Sequence, residues 1–383
     1  MSDKNILKIK KTSVLYIVFG INKALAFEWI TSYIDREKFE ISFILLNSKP
    51  SYLKQFLNQR RIKCIEYKHS SFFNLPINFL KILRYLLKHE PDVIHTHLRD
   101  ANLIGLFVGG LVRIKKRIYS RHHSTLYHEY RKGIALLIDR FCNYFATNII
   151  ATNKNVANVL QERENVLPEK IRTIYHGFDL SKFNQSDCSL INQMKIKYGL
   201  SNRYPVVGVI ARYEYWKGIQ HIIPAFKRLL INYPNAVLML ANAKKGDAVS
   251  IIENQLNDLP NSSYIEIPFE DDIFTLYQLF NVFVHVPIDK SVEAFGQIYV
   301  EALAAGIPSI FTMSGIAHEF IQHEENALVV DYKNSEEIYQ SLVRLLESKE
   351  LKKYLIKNGK KSIEAIDDFK ITTMIQKLEE LYS

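Results

Sequence analysis

An α/β protein of two doubly wound, parallel-sheet domains is the fold class this sequence predicts, on three observations. The chain has 383 residues, more than one hydrophobic core usually supports, so two domains of ordinary size are expected. Short runs rich in Val, Ile, Tyr and Phe alternate with longer stretches of helical spacing, which is the pattern of strand–helix units and parallel sheets. Apolar residues make up 48% of the chain, and its 14 glycines and 11 prolines are spread along it. With neither a low-complexity tract nor a repeat of fixed period, the disordered, collagen-like and solenoid classes drop out.

In order along the first half, residues 14–19, 41–46, 93–95, 117–120, 148–151 and 171–175 read as short β-branched strands. Between them, residues 77–88 repeat Ile77, Leu80, Leu83, Leu86 and Leu87 near helical spacing, and Pro91 marks the end of that helix. Residues 101–112 are apolar for only about a dozen positions against the roughly 20 that a membrane-spanning helix needs, so they predict a buried helix. A polar interval over 181–203 reads as the interdomain connection. After it the alternation restarts, with strands at 206–210, 236–240, 264–267 and 282–286 and helices at 219–231 and 273–279. Helices at 298–305, 335–347, 351–365 and 371–381 complete the chain. The expected division is a first domain over 1–183, a linker over 184–203, a second domain over 204–365 and a closing helix over 366–383.

Three cysteines, Cys64, Cys142 and Cys188, lie far apart with no metal-ligand spacing, which predicts a reducing compartment, the cytoplasm. Lys4, Lys8, Lys10 and Lys11 ahead of the apolar run 14–19 imitate a signal peptide, but the run is too short and is interrupted by Asn22 and Lys23. Charge divides unevenly. Residues 1–200 hold 32 Lys and Arg against 16 Asp and Glu, and residues 201–383 hold 18 against 24, within a whole-chain balance of +10. Such a basic first half fits an anionic partner, or serves solubility alone. With no ribonucleoprotein-type aromatic motif and no recognition helix, an acidic membrane surface is a better candidate than nucleic acid. Lys81, Arg84 and Lys88 on one predicted helix, with Arg113, Lys115, Lys116 and Arg117 nearby, would suit a peripheral protein at the inner leaflet.

The segment Glu293-Ala-Phe-Gly-Gln-Ile-Tyr-Val-Glu301 follows an apolar strand directly, at the carboxyl end where parallel sheets bind ligands. Gly296 permits close approach of the backbone, and the amides of Phe295, Gly296 and Gln297 at a helix start would attract a phosphate. Carboxylates beside an anionic ligand are repelled unless they bind hydroxyls, and a ribose or a hexose offers paired hydroxyls. Together these features call for a nucleotide sugar. A second strand end, Gly208-Val-Ile-Ala-Arg212-Tyr-Glu-Tyr-Trp-Lys217-Gly218, carries two cations before another helix start. Arg212 and Lys217 suit a diphosphate whose charge grows as a sugar departs, and the alternative for Arg212 is a surface ion pair with Glu214.

Glu293 and Glu301 with Phe295-Gly296 between them and Ala302-Leu-Ala-Ala-Gly-Ile-Pro308 after them resemble the EX7E signature of retaining glycosyltransferase family 4, the group 1 glycosyltransferases. Arg212…Lys217-Gly218 is similar to that family's Gly-Arg-Leu…Lys-Gly element. Asp92-Val-Ile-His95-Thr-His97, Tyr119-Ser-Arg-His122-His123 and Ile174-Tyr-His-Gly177-Phe-Asp179 are weaker echoes in the first half. The resemblance implies the GT-B fold, two Rossmann-like domains facing each other across a cleft, with the last helix crossing back to the first domain. It implies that Glu301 binds the nucleotide ribose, Glu293 the transferred sugar, and Arg212 and Lys217 the diphosphate. It places Ile267, at the end of its strand, on the donor side. His122 aligns with the histidine that contacts the donor sugar, with His123 as the alternative for that place, and His95 reads as structural. Gly20, Lys23, His97 and His123 are the acceptor-side candidates.

Departures from the family pattern are a single glycine at Phe19-Gly20-Ile-Asn22-Lys23 and at Met313-Ser-Gly315, and Phe269 where many members have Gly. No Asp-x-Asp motif closes a strand, and Asp271-Asp272 reads as a helix cap, so transfer without a metal or other cofactor is expected. The donor implied by the family is a UDP-sugar, and the acceptor a hydroxyl of a glycan or lipid-linked saccharide. Rival readings are a UDP-sugar epimerase of the same architecture, a non-catalytic nucleotide-sugar binder, and a basic nucleic-acid binder.

Overall fold

The computed structural model describes residues 10–125, 133–184 and 187–383. Lys4 and Lys8 of the basic N-terminal stretch and Gln185-Ser186 of the polar interval lie outside them. The chain forms two compact units, one of Met1–Phe178 with Asp368–Ser383 and the other of Asp179–Asp367.

The first unit holds a parallel sheet of β1 (Thr12–Phe19), β2 (Phe39–Asn47), β3 (Lys63–Lys68), β4 (Val93–His97), β5 (Lys116–Arg121), β6 (Asn148–Ala151) and β7 (Ile171–Thr173). Their order is β3-β2-β1-β4-β5-β6-β7. Strand order therefore reverses between β1 and β4, where Val18 lies beside His97, and that switch point opens a crevice at the carboxyl edge of the sheet. β3 escapes the sequence reading because Lys63, Glu66 and Lys68 break its apolar run. Such charges are usual on an edge strand, where they discourage pairing with another chain.

The helix predicted over 77–88 forms as Leu75–His89, and only part of its apolar repeat faces inward. Its buried residues are Asn78, Ile82, Tyr85 and Leu86, whereas Ile77, Leu80 and Leu87 stand exposed. Leucine and isoleucine occur all round this helix, so periodicity alone could not choose its inner face. A polar anchor chooses it: the Asn78 amide donates to Lys68 O at 3.2 Å and to His69 Nδ1 at 2.9 Å. A buried amide must be satisfied, and this pairing turns the Asn78 side inward.

The last helix, Ile371–Tyr382, packs into the first unit. It buries Ile371, Met374, Ile375, Leu378 and Tyr382, each worth about 1.5–3 kcal/mol. Gly177 makes its entry possible, since a Cβ there would lie 2.8 Å from the Ile371 Cα. The Tyr382 hydroxyl sits 2.5 Å from the Tyr16 hydroxyl and 2.6 Å from His95 Nδ1, while His95 Nε2 lies 2.9 Å from Ser120 Oγ.

The second unit repeats the design with β8 (Val206–Ile210), β9 (Val237–Ala241), β10 (Tyr264–Ile267), β11 (Val282–His285), β12 (Ser309–Phe311) and β13 (Leu328–Val329). All are parallel in the order β10-β9-β8-β11-β12-β13. Here the reversal falls between β8 and β11, so the loops that follow these two strands are neighbours. The polar interval read as a connection contains a helix, Cys188–Lys197, within this unit. Asp187 caps it, accepting from the amides of Ser189 and Leu190. Phe183, just before, is buried against Phe274 with ring centroids 4.8 Å apart.

Candidate active site

At the switch point of the second unit, the loop after β8 delivers a lysine to a glutamate from the loop after β11. Lys217 Nζ lies 2.5 Å from Glu293 Oε1, and His285 Nε2 lies 3.0 Å from the same oxygen. Glu293 is only 5% exposed. Burial by itself would raise its carboxyl, but the Lys217 cation and the His285 hydrogen bond outweigh it and bring the pKa down to about 2. Burial lowers His285, so that imidazole is neutral near pH 7 and its Nε2–H donates to the carboxylate. The result is a fixed carboxylate–ammonium pair at a strand end, with one histidine behind it.

Glycines set this geometry. Gly218, at φ +76°, has no room for a Cβ, which would stand 1.9 Å from Val286 O. The β8 loop therefore lies directly against the end of β11. Gly296, at φ +84°, opens the helix Gln297–Ala304, and a Cβ there would meet the Tyr299 ring at 2.7 Å. Gly315 supplies the same closeness from the other side, since a Cβ there would lie 2.9 Å from Glu293 Cβ. Phe295 is buried, its carbonyl accepting from Ile316 N at 2.9 Å, while Gln297 at the helix start is partly exposed.

Glu301, one turn along this helix, is a different kind of carboxyl. Tyr277 donates its hydroxyl to Glu301 Oε2 at 2.9 Å, and burial pushes the Glu301 carboxyl up to about 7. A raised carboxyl favours the folded state below its unfolded pKa, and that stability is lost as pH rises through the folded value. The melting temperature is therefore expected to fall between about pH 5 and pH 8.5, and Glu301→Gln to flatten that slope in a thermal melt series. An unchanged slope in the variant would show that Glu301 does not titrate in this range.

Arg212 stands apart from the pair. Its side chain is 59% exposed and lies 3.5 Å from Glu214 Oε1, so the alternative ion pair is formed. Ile267 closes β10 and is buried, its carbonyl accepting from Ala243 N at 3.1 Å. Asp272 caps the helix Ile273–Tyr277 by accepting from Thr275 N at 3.0 Å, as its position predicts. Two groups that touch the candidate acids, His285 and Tyr277, were not singled out from the sequence. His285 had a signal, being a polar residue that closes an apolar strand at its carboxyl end; Tyr277, inside a helix, had none.

The first unit gathers histidines at its own switch point. His97 Nδ1 and His122 Nε2 share a hydrogen bond of 3.0 Å, and the His122 ring stacks on His176 with centroids 5.8 Å apart. Burial lowers His122 and His95 to about 3 and His176 to about 4, and His97 well below the usual value. All four are neutral near pH 7. His123, the alternative to His122, faces elsewhere: its Nε2 lies 2.8 Å from Asp139 Oδ2, in a cluster where Arg121 also meets Asp139 and Glu164. Gly20, at φ +65°, has open space around its Cα, and its amide donates to Leu46 O. Lys23 Nζ lies 4.8 Å from the Tyr52 ring centroid.

Two parallel sheets of seven and six strands, covered by helices, make up the fold that the GT-B glycosyltransferases share. The fold is shared with the crystal structure of Anabaena HepE in complex with UDP-glucose, at a TM-score of 0.80 and 21% identity, over 96% of this chain and 98% of that one. The model of the glycosyl transferases group 1 matches residues 191–362, and that of Glycosyltransferase Family 4 matches residues 30–182. The chain belongs to the group 1, family 4 glycosyltransferases. Among relatives, the capsular polysaccharide biosynthesis glycosyltransferase CapM of Staphylococcus aureus is 23% identical, over 88% of this chain and 89% of its own length. The Escherichia coli UDP-Gal:α-D-GlcNAc-diphosphoundecaprenol α-1,3-galactosyltransferase is 20% identical, over 98% and 96%.

Proposed function

We propose that this chain is a retaining glycosyltransferase of hexosyl or N-acetylhexosaminyl type. It moves a sugar from a UDP-sugar to a hydroxyl of a glycan or lipid-linked acceptor during synthesis of a cell-surface polysaccharide or glycoconjugate. The observation that carries this reading is the buried Lys217–Glu293 pair beside the helix that Gly296 opens and Glu301 continues. It combines a cation and a helix N-terminus for a diphosphate with two carboxylates for hydroxyls. HepE was crystallised with UDP-glucose, and the E. coli relative is named for UDP-Gal and a diphosphoundecaprenol-linked sugar; both support the choice of donor, and the second supports a lipid-linked acceptor.

In this reading the Glu301 carboxylate accepts from the ribose hydroxyls and Glu293 from the transferred sugar. Lys217, Arg212 and the amides of Phe295, Gly296 and Gln297 hold the diphosphate, and Ile267 lies on the donor side. The bond from the anomeric carbon to the diphosphate oxygen breaks while the acceptor oxygen bonds to the same face of that carbon. The acceptor proton leaves with the β-phosphate. Charge growing on the diphosphate is stabilised by the two cations, without a divalent ion. His122 takes the donor-sugar contact that the family resemblance gives it, as a neutral imidazole able to donate one hydrogen bond. Gly20, Lys23 and His97 belong to the acceptor side, and the enzyme works at the cytoplasmic face of an anionic membrane.

Donor choice is tested by thermal shift with a panel of nucleotide sugars, where UDP-sugars are expected to raise the melting temperature and sugars on other bases to do so less. A panel with no response would remove the central reading. Glu301 adds a pH signature: since hydroxyls donate to the ionised carboxyl, UDP affinity is expected to rise from about pH 6 to pH 8 and to lose that dependence in Glu301→Gln. Transfer should survive a chelator, and the product anomer by NMR should match that of the donor.

A further inference from the structure

We infer that His285 and Tyr277 are the positioning residues of the two acids: each takes one oxygen of its carboxylate, so that Glu293 presents Oε2 to the transferred sugar and Glu301 presents Oε1 to the ribose. The inference rests on the nucleotide-sugar reading and assigns a role to two side chains that this reading does not use. Both lie in the second unit, and both are too deeply buried to meet a ligand themselves, His285 at 1% exposure and Tyr277 at 0%.

An ionised carboxylate only accepts, and its two oxygens offer about four lone-pair sites. On Glu293 the hydrogen-bond donors do not share these sites out. Lys217 Nζ at 2.5 Å and His285 Nε2 at 3.0 Å both meet Oε1, and Oε2 has no hydrogen-bond partner among the described residues. On Glu301 the Tyr277 hydroxyl meets Oε2 at 2.9 Å, and Oε1 likewise has no partner among the described residues. Neither of these two oxygens is among the buried side-chain atoms left without a partner, so each reaches accessible surface. A carboxylate serving stability alone would gain from hydrogen-bond donors on both of its oxygens, because unmet polar groups in the interior cost free energy. Each acid is instead held by one oxygen, with the other turned to where a hydroxyl can reach it.

The two holding groups are themselves fixed. His285 closes β11, and its ring lies against that of Tyr299 with centroids 4.9 Å apart. Tyr277 ends the helix Ile273–Tyr277, and its ring packs edge-on to Phe283 at 5.5 Å and to Phe183 at 6.2 Å. Side chains locked by packing hold a carboxylate in one orientation before substrate arrives, so that binding does not have to order it. The chemistry of each contact is set by its partner. Because a carboxylate must face a donor, Glu293 fixes His285 as the Nε2–H tautomer. Tyr277 gives a hydroxyl hydrogen bond to an acid that burial pushes up, and so favours its ionised form. His285 thus acts on the sugar through Glu293, and Tyr277 on the nucleoside through Glu301.

The test pairs calorimetric titration of UDP with steady-state transfer from a UDP-sugar in His285→Gln, His285→Phe and Tyr277→Phe, each checked for folding by circular dichroism. Gln keeps an N–H where Nε2 stands, and Phe keeps a ring without one. His285→Phe is expected to bind UDP as wild type does while its kcat/KM falls about 10- to 100-fold, and His285→Gln to recover most of that loss. His285→Asn, whose amide falls short of Oε1, repeats the loss with a smaller side chain. Tyr277→Phe is expected to weaken UDP about tenfold near pH 7 and to move the rise of UDP affinity to higher pH, since Glu301 loses the hydrogen bond that favours its ionised form. A merely structural role would weaken UDP binding in His285→Phe and His285→Asn too, and would leave the pH profile of Tyr277→Phe where wild type has it. Either result overturns the inference, as does equal loss of turnover in His285→Gln and His285→Phe. Wild type that binds no UDP overturns the nucleotide-sugar reading and the inference with it, whereas wild type that binds while the variants fail in these ways overturns the inference alone.

Discussion

Lys217→Ala is expected to lower turnover by a factor on the order of 10²–10³ and to destabilise the second unit by about 3–5 kcal/mol. Both effects come from one atom. Lys217 Nζ is the cation that compensates the buried Glu293 carboxylate at 2.5 Å, and neutral His285 alone cannot replace it. Without the ammonium, burial regains control of Glu293 and its carboxyl moves up from about 2. The protein then either carries an unpaired buried charge or takes up a proton. Chemical denaturation and steady-state turnover on the same preparation separate the two consequences. The double variant Lys217→Ala/Glu293→Gln is expected to recover much of the lost stability and none of the lost turnover. Recovery of both would mean that Lys217 and Glu293 form a structural ion pair and that neither acts in transfer.

Glu293→Gln keeps shape and removes charge, and its largest effect is expected on catalysis. Hydrogen bonds to a charged acceptor contribute about 1.5–3 kcal/mol, so kcat/KM for the UDP-sugar should fall by roughly 10- to 100-fold. The same substitution reports on acid stability. Wild-type Glu293 has its carboxyl lowered from 4.5 to about 2, a difference worth about 3 kcal/mol. For a lowered carboxyl that stability is present above the unfolded pKa and is lost as pH falls toward the folded one. Denaturation curves between about pH 5 and pH 2 should therefore show a slope in wild type that is reduced in Glu293→Gln. Equal slopes in both proteins would locate acid sensitivity elsewhere.

The second unit was more legible in the sequence than the first because its loops announce their own geometry. Gly218 and Gly296 each stand between a strand and a helix with charged residues beside them, and both proved to occupy left-handed backbone where a Cβ would collide. What the sequence withheld was partnership. That Lys217 would reach Glu293 across 76 positions depends on β8 and β11 being neighbours, a fact of strand order that no local pattern encodes. Tyr277 meets Glu301 because the helices before and after β11 pack together, which no local pattern encodes either.

In the first unit the histidines were visible as residues but not as a group. His97 and His122 meet because β4 and β5 are adjacent, while His123, one position further, turns to Asp139. The rotation of Leu75–His89 is not legible in the sequence because a helix with apolar residues on two faces has two solutions, and Asn78 decides between them through its contact with His69. The helix Cys188–Lys197 could have been anticipated from Asp187, an N-cap residue, ahead of Leu190, Ile191 and Met194. β12 and β13, at three and two residues, are too short to carry a period.

The central claim is that a nucleotide sugar is held by the Lys217, Glu293 and Glu301 constellation. Calorimetric titration of UDP into wild type and into Lys217→Ala and Glu301→Gln at pH 8 tests it most directly. A lost charge-assisted contact to the diphosphate or ribose is expected to weaken binding about 10- to 100-fold in each variant, with both variants still folded by circular dichroism. Folded variants that bind UDP as tightly as wild type would contradict the account.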